Sequence, residues 1–223
     1  MDNNYTKGFG TNFHKVYAEN ANSYHDFSAA EMFSQKLSQK INNLFIGDVA
    51  LDVGCGTCHK TNIFSQFFNK IYALDTSKEL LKFAKKKYTD NNKIDYIFAS
   101  ASQIPLLDCS VDVIISTWTS LPLEEAVLEM QRVCKPSGSI IRIGTTMIDD
   151  FTCMFPKYSI DRVNYVNKYF RDEGFVEEIH DVFIKFEDLK TAKDTLSIVL
   201  GISEDLVLKK AYKHKVVLHY KRK

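Results

Sequence analysis

Nowhere in the 223 residues does an apolar run approach the ~20 residues a membrane helix requires, which excludes a chain built around such spans. The first residues, Met1 to Lys7, are polar and lack a hydrophobic signal core, which argues against secretion. Proline is scarce at four residues, and no repeat, low-complexity tract or Pro/Gly-rich linker interrupts the chain. One continuous domain over 1–223 is therefore expected. Net charge is also lacking: 29 basic and 28 acidic residues leave +1, so the broad electrostatic footprint of a nucleic-acid binder is absent. Residues 201–223 depart from that balance, with seven Lys/Arg against two Asp/Glu. Such a basic segment is ordinarily a solvated surface, with an anionic partner as the sharper reading. The cysteines number only five (Cys55, Cys58, Cys109, Cys134 and Cys153). An odd count without a signal core fits reduced thiols in a cytoplasmic protein better than a disulfide framework.

What is present is an alternation of short β-rich runs with longer segments of helical period. The runs at 49–53, 71–74, 94–99, 111–116, 139–143, 176–186 and 216–220 read as seven strands. Between them, apolar residues recur at helical spacing: Leu80, Leu81, Ala84 and Tyr88; Leu123, Val127, Met130 and Val133; Val163, Val166 and Phe170. Thr76-Ser-Lys-Glu79 has capping-box spacing at a helix start. Pro136-Ser-Gly138 breaks the helix before it. Strands alternating with helices predict an α/β fold, a doubly wound and mostly parallel sheet covered by helices. Ligands of such sheets bind beyond the carboxyl ends of the strands. Residues 1–48 precede the first strand and are expected to form a helical lid, rich in aromatics, on an α/β core of 49–223.

The sharpest local feature is Leu51-Asp-Val-Gly-Cys-Gly-Thr-Cys-His59. A strand ends, Gly54 and Gly56 follow at alternate positions, and a helix begins. Glycine lets the backbone turn tightly and approach a ligand without a Cβ in the way. Free amides at the next helix start can meet polar groups. Asp75 ends the second strand 19 residues after Gly56, the spacing at which an acid reaches ribose hydroxyls in nucleotide-binding α/β folds. The same stretch contains Cys55-x-x-Cys58-His59, formally a haem-attachment pattern and also that of a redox dithiol. A zinc site through these residues lacks a second spaced pair. The plainest alternative is that small residues simply line a tight loop.

Four ordered segments resemble class I S-adenosyl-L-methionine-dependent methyltransferases, closest to the small-molecule group that includes the ubiquinone/menaquinone-biosynthesis enzymes. They are Leu51-Asp-Val-Gly-Cys-Gly-Thr57, Leu74-Asp-Thr-Ser77, the run Ile104 to Ser116, and Glu129 to Gly138. Val16 to Asp26 is similar to that family's tyrosine-containing N-terminal lid. The resemblance implies a seven-stranded sheet with its last strand antiparallel. It implies S-adenosyl-L-methionine as cofactor, S-adenosyl-L-homocysteine as product and a small-molecule acceptor methylated at O, N or C.

The resemblance places Asp52, Gly54, Cys55 and Gly56 around the methionine end, with Asp75 and Thr76 at the ribose. Ser100 and Ala101 would flank the adenine, Ser116 and Thr117 would lie beneath the methyl group, and Tyr17 would wall the pocket. Ser100 stands where the family often has an acid, and Cys58 where it usually has glycine, which requires an unusual φ. Tyr24, His25 and His14 in the lid, with His59, are candidate general bases. Trp118 is a candidate acceptor-pocket wall. The sequence has neither the Asn/Asp-Pro-Pro-aromatic motif nor the Pro-Cys nucleophile of DNA-modifying relatives, so DNA is not expected as a substrate. A tRNA or protein substrate, a non-catalytic cofactor-binding relic and a dithiol oxidoreductase are the alternatives. Oligomeric state is not legible.

Overall fold

Local chemistry sets the helix starts. The computed structural model describes residues 16–17, 19–146, 149, 151–154 and 160–223. The chain enters with α1 (Ala21–Ala30), β1 (Glu31–Phe33) and α2 (Gln35–Asn42). The Ser34 side chain accepts the Leu37 N–H and caps α2. Then follow β2 (Val49–Val53), α3 (His59–Phe64) with a 3-10 turn at Ser65–Phe67, β3 (Lys70–Asp75), α4 (Lys78–Lys87), β4 (Ile94–Phe98), β5 (Val111–Thr117) and α5 (Leu123–Val133). The chain closes with β6 (Cys134–Thr145), α6 (Ile160–Asp172), β7 (Val176–Lys185), α7 (Leu189–Leu200) and β8 (Ala211–Arg222).

Ser77, not Thr76, caps α4: its hydroxyl accepts the Leu80 N–H, which moves the expected capping box one residue along. Acidic Glu124 and Glu125 occupy the first turn of α5, where they complement the helix dipole. Helix α7 begins at the Asp188 cap and stops at Gly201, whose φ of +66° is the left-handed conformation typical of a helix end.

The strands form one sheet in the order β1-β7-β8-β6-β5-β2-β3-β4. β2 to β6 run parallel, while β8 is antiparallel to β6 and to β7, so the last strand runs as expected. The sheet has eight strands rather than seven. The additional one, β1, pairs antiparallel with Val182–Ile184 of β7 and comes from the N-terminal segment read as purely helical. Three residues give too short an alternation to register as a strand in the sequence. A second difference lies at Pro136-Ser-Gly138. Helix α5 ends at Val133, β6 begins at Cys134, and the pairing skips from Val111↔Cys134 to Val113↔Ser139. The proline therefore sits in a bulge, where no ladder N–H is needed.

Alternation along the strands fills both faces. Ala50, Val113 and Ile115 pack with Leu37, Ile41 and Phe64 on one side. Leu51, Val53 and Ile114 pack with Val127, Met130 and Phe170 on the other. Each fully buried Ile or Leu contributes roughly 1.5–3 kcal/mol. The strand order reverses at β2, between β3 and β5. The crevice for a ligand is therefore expected beyond Val53 and Thr117.

Candidate functional site

A cavity of ≈ 280 Å³ opens there. At its base the chain leaves β2 through Gly54, with φ +76°, and Gly56, with φ +55°. A Cβ on Gly54 would stand 2.2 Å from Thr119 Cγ2, so only glycine lets the loop after β5 close on the loop after β2. Cys58, where the family usually has glycine, adopts φ +57°, in the left-handed region.

Asp75 at the end of β3 ties the loop after β2 to the loop that follows β3. Its Oδ2 accepts the Gly56 N–H at 2.8 Å and its Oδ1 accepts the Ser77 N–H at 2.8 Å. Burial raises its pKa, and these backbone bonds counter part of that rise. Thr76, Ser100, Ala101 and Leu80 line the cavity beside Asp75. Ser100 Oγ lies 2.7 Å from Ser102 Oγ. From the N-terminal segment, Tyr17 and Tyr24 line the wall in an edge-to-face pair with centroids 5.0 Å apart. Burial and the nearby Asp75 carboxylate push both phenols upward, so their hydroxyls stay protonated.

Several expected residues lie elsewhere. Asp52 sits beneath the loop, where its Oδ2 accepts the Thr61 hydroxyl at 2.6 Å and its Oδ1 has no hydrogen-bond partner. Burial pushes its carboxyl up to about 7. Cys55, Ser116 and Thr117 are also off the cavity lining, and the buried Ser116 hydroxyl has no partner. His25 does not join Tyr24. One residue along a helix turns the side chain by about 100°. The imidazole instead packs on His59 and Phe83 at 5.4 Å from each, with Nδ1 3.2 Å from Thr57 Oγ1. Burial lowers His25 and His59 to about 4. His14 lies outside the described residues. Burial, with Cys58 beside it, pushes the Cys55 thiol well up, opposite to the depressed pKa of a redox dithiol. Among the described residues, no cluster of three or more His, Cys, Asp or Glu could hold a metal.

Trp118, expected as a pocket wall, lines the cavity, and most of the remaining wall carried no sequence signal. Trp118, with φ +58°, donates from Nε1 to Glu31 Oε2 at 2.8 Å. Buried Lys60 reaches the same carboxylate at 3.5 Å and donates to the Glu31 carbonyl at 2.6 Å. His214 stacks on the Trp118 ring, and Arg142 and Arg162 complete the polar part of the wall. Phe27, Phe151, Ile184, Val199 and Leu200 make it apolar. Apart from Trp118, named from its place after a strand, and Phe27, which belongs to the aromatic-rich N-terminal segment, these residues are brought in from distant elements, so no local pattern announces them.

A parallel sheet with a glycine loop at its switch point and an acid at the end of the neighbouring strand defines a nucleotide-type cofactor site. Comparison with known proteins narrows the class. The family model described as "Methyltransferase domain" matches residues 51–142. A malonyl-[acyl-carrier protein] O-methyltransferase of Buchnera aphidicola is 26% identical over 199 residues, covering 86% of this chain and 75% of its own. A demethylmenaquinone methyltransferase of Bacillus velezensis is 31% identical over 149 residues, covering 62% of this chain and 64% of its own. The match thus spans just under two thirds of that relative's length. Among solved structures, a SAM-dependent methyltransferase from Aquifex aeolicus superposes with a TM-score of 0.58 at 18% identity, covering 93% of this chain and 96% of that one. Residues 51–142 therefore carry a methyltransferase domain, and the relatives that the chain resembles over most of its length are methyltransferases. Among the described residues, no helix is long and apolar enough to cross a membrane.

Proposed function

We propose that this chain, folded as one domain, transfers a methyl group from S-adenosyl-L-methionine to an O, N or C nucleophile of a small molecule and releases S-adenosyl-L-homocysteine. The observation that carries this reading is the Asp75 carboxylate bound to the Gly56 amide at 2.8 Å on the wall of one cavity. It puts an acid and a glycine loop with no Cβ side by side, as a ribose and its neighbouring chain require. The residues present fit that group: Asp75 for the ribose hydroxyls, Gly54 and Gly56 for the amino-acid end, and Ser100 with the apolar Ala101 and Leu80 for the adenine.

The bound cofactor supplies a methyl carbon already activated by a positively charged sulfur. The protein's task is to align the acceptor and exclude water, and alignment of this kind supplies roughly 7–11 kcal/mol. Phe27, Trp118, Phe151 and Leu200 offer an apolar acceptor an enclosing surface. Tyr17 and Tyr24 close the N-terminal segment over the loop, as a lid does. The relatives' names point to acceptors such as an acyl-carrier-bound malonyl group or a demethylated quinone. A cytoplasmic setting agrees with the free thiols of Cys55, Cys58, Cys109 and Cys134.

Thermal unfolding tests the cofactor. S-adenosyl-L-methionine and S-adenosyl-L-homocysteine at 100 times their Kd add ~2.7 kcal/mol, whereas NADH and ATP leave the transition in place. An equal response to all four ligands, or to none, would overturn the reading. A positive result is followed by turnover with a malonyl thioester and with a reduced naphthoquinol.

A further inference from the structure

One group on the cavity wall has no part in the roles above. His214, on β8, is 1% exposed. Its ring stacks on Trp118 at 5.4 Å and 24°, and packs on Phe151 at 5.2 Å. Its Nδ1 lies 2.9 Å from Asp149 Oδ2. That oxygen also accepts the Lys215 N–H at 2.8 Å, while Oδ1 accepts the N–H groups of Phe151 and Thr152 at 3.1 and 3.0 Å. Burial opposes ionisation of Asp149, but these bonds outweigh it and hold the carboxyl at about 2. An ionised carboxylate at Nδ1 fixes the imidazole proton on that nitrogen and leaves the lone pair on Nε2.

The placement is specific. Trp118 adjoins Thr119, whose hydroxyl donates to the Val53 carbonyl at 3.1 Å and whose side chain fills the space a Cβ on Gly54 would need. His214 and the glycine loop thus line the same cavity, with Trp118 stacked on the one and its chain neighbour Thr119 packed on the other. The charged groups around it are Asp149 from the segment after β6 and Glu31 of β1, which is held by the other edge of Trp118. On β8, Lys213 and Lys215 are turned to Asp181 of β7. Arg142, Arg162 and Asp75 share the cavity wall.

We propose that His214 Nε2 is the general base of the methyl transfer, with Asp149 as its positioning residue, and that the acceptor is an apolar molecule bearing an acidic hydroxyl of the phenol or enol class. The proposal rests on the methyl-transfer reading. A carboxylate acceptor arrives ionised and needs no base, and among hydroxyl acceptors a phenol or enol gives its proton to imidazole more readily than an alcohol does. The acceptor O–H bond breaks and its proton goes to Nε2. The freed oxygen pair forms the O–CH3 bond, and the carbon–sulfur pair returns to sulfur as a neutral thioether. Nε2 then passes its proton to solvent, so one proton is released per turnover.

The test uses the full chain with 15N-labelled histidine and saturating S-adenosyl-L-homocysteine. NMR is expected to show the His214 proton on Nδ1 and a bare Nε2 above neutral pH, with Asp149→Asn disturbing that tautomer while the imidazole stays in place. His214→Gln and Asp149→Asn are expected to retain S-adenosyl-L-homocysteine affinity within about threefold. Both should slow methylation of a reduced naphthoquinol by roughly 100-fold or more. A proton on Nε2 in the wild type, or wild-type quinol turnover by His214→Gln, overturns the proposal. So does turnover confined to a malonyl thioester and indifferent to His214. Where neither acceptor reacts, the tautomer decides alone. Failure of the wild type to bind S-adenosyl-L-homocysteine overturns the methyl-transfer reading instead, and leaves the tautomer result standing.

Discussion

Trp118 Nε1 and Glu31 Oε2 are joined by a 2.8 Å hydrogen bond that fastens the end of β5 to the start of β1. The bond links the parallel core to the N-terminal segment on the wall of the cavity. It also supplies a partner for a buried carboxylate that Lys60 holds from the other side. Trp118→Phe keeps the ring and loses the donor, so a cost of about 1–3 kcal/mol is expected. Lys60→Met removes the charge partner and the cap on two carbonyls, and is expected to cost more, roughly 3–5 kcal/mol. Urea denaturation of the two variants checks the order.

Gly54 and Gly56 are expected to differ when each is replaced by alanine. At Gly54 the added carbon meets Thr119 at 2.2 Å at a φ of +76°, with no flexible chain end to give way. At Gly56 it meets the Tyr24 ring at 3.0 Å, and a ring on the N-terminal segment can move by a few tenths of an ångström. Gly54→Ala should abolish S-adenosyl-L-homocysteine binding. Gly56→Ala should weaken it on the order of tenfold, a difference of ~1.4 kcal/mol. Titration calorimetry separates the outcomes.

Asp75 holds two loop amides, one per oxygen. Asp75→Ala leaves both buried donors unpaired, at about 1–3 kcal/mol each, whereas Asp75→Asn keeps an acceptor for one. The melting temperature without ligand should therefore fall further for alanine. Ligand binding should be weakened in both variants, because the negative charge is gone.

The pH dependence of stability has two opposed parts. The Asp52 carboxyl titrates near 7 in the folded chain and near 4 when unfolded. Its ionisation therefore opposes folding: the contribution is full below about pH 4 and is lost as pH rises through 7. Asp52→Asn still accepts the Thr61 hydroxyl. It should stabilise the chain at pH 8, by up to about 4 kcal/mol, and not at pH 4.

His25 and His59 act in the other sense. Their folded values near 4 lie below the ordinary 6.5, so their contribution is present above about pH 6.5 and is lost as pH falls toward 4. Replacing both with glutamine should flatten the acid side of the stability curve measured by calorimetry.

How much was legible follows from where each signal resides. Gly54, Gly56 and Asp75 sit at strand ends in a local order that α/β topology brings to the wall of one cavity, so spacing was enough to place them together. His25, a candidate because it lies in the N-terminal segment, packs on His59 and Phe83 off the cavity, a placement that only the turn of its helix decides. Asp52 shares a strand with residues that face the cavity, but its side chain is directed at Thr61. His214 stands two residues before the run Val216 to Tyr220 that marked the last strand, because Tyr212, Lys213 and Lys215 mask the apolar pattern. Its partner Asp149 is 65 positions away in sequence, and only the antiparallel return of β8 along β6 brings them together.

The three-residue strand β1 has a consequence beyond the cavity. It covers Val182–Ile184 and, among the described residues, leaves Val176 to Asp181 of the same strand with no β partner on that side. Ile179 and Val176 are about half exposed there, and Glu177, Glu178 and Asp181 stand between and beside them. Unpaired sheet edges recruit other chains, and short covering strands and interspersed charges prevent it. Removing the segment before Ser34 would strip one of those two defences. Self-association of the shortened chain, rather than simple loss of activity, is what sedimentation would then detect.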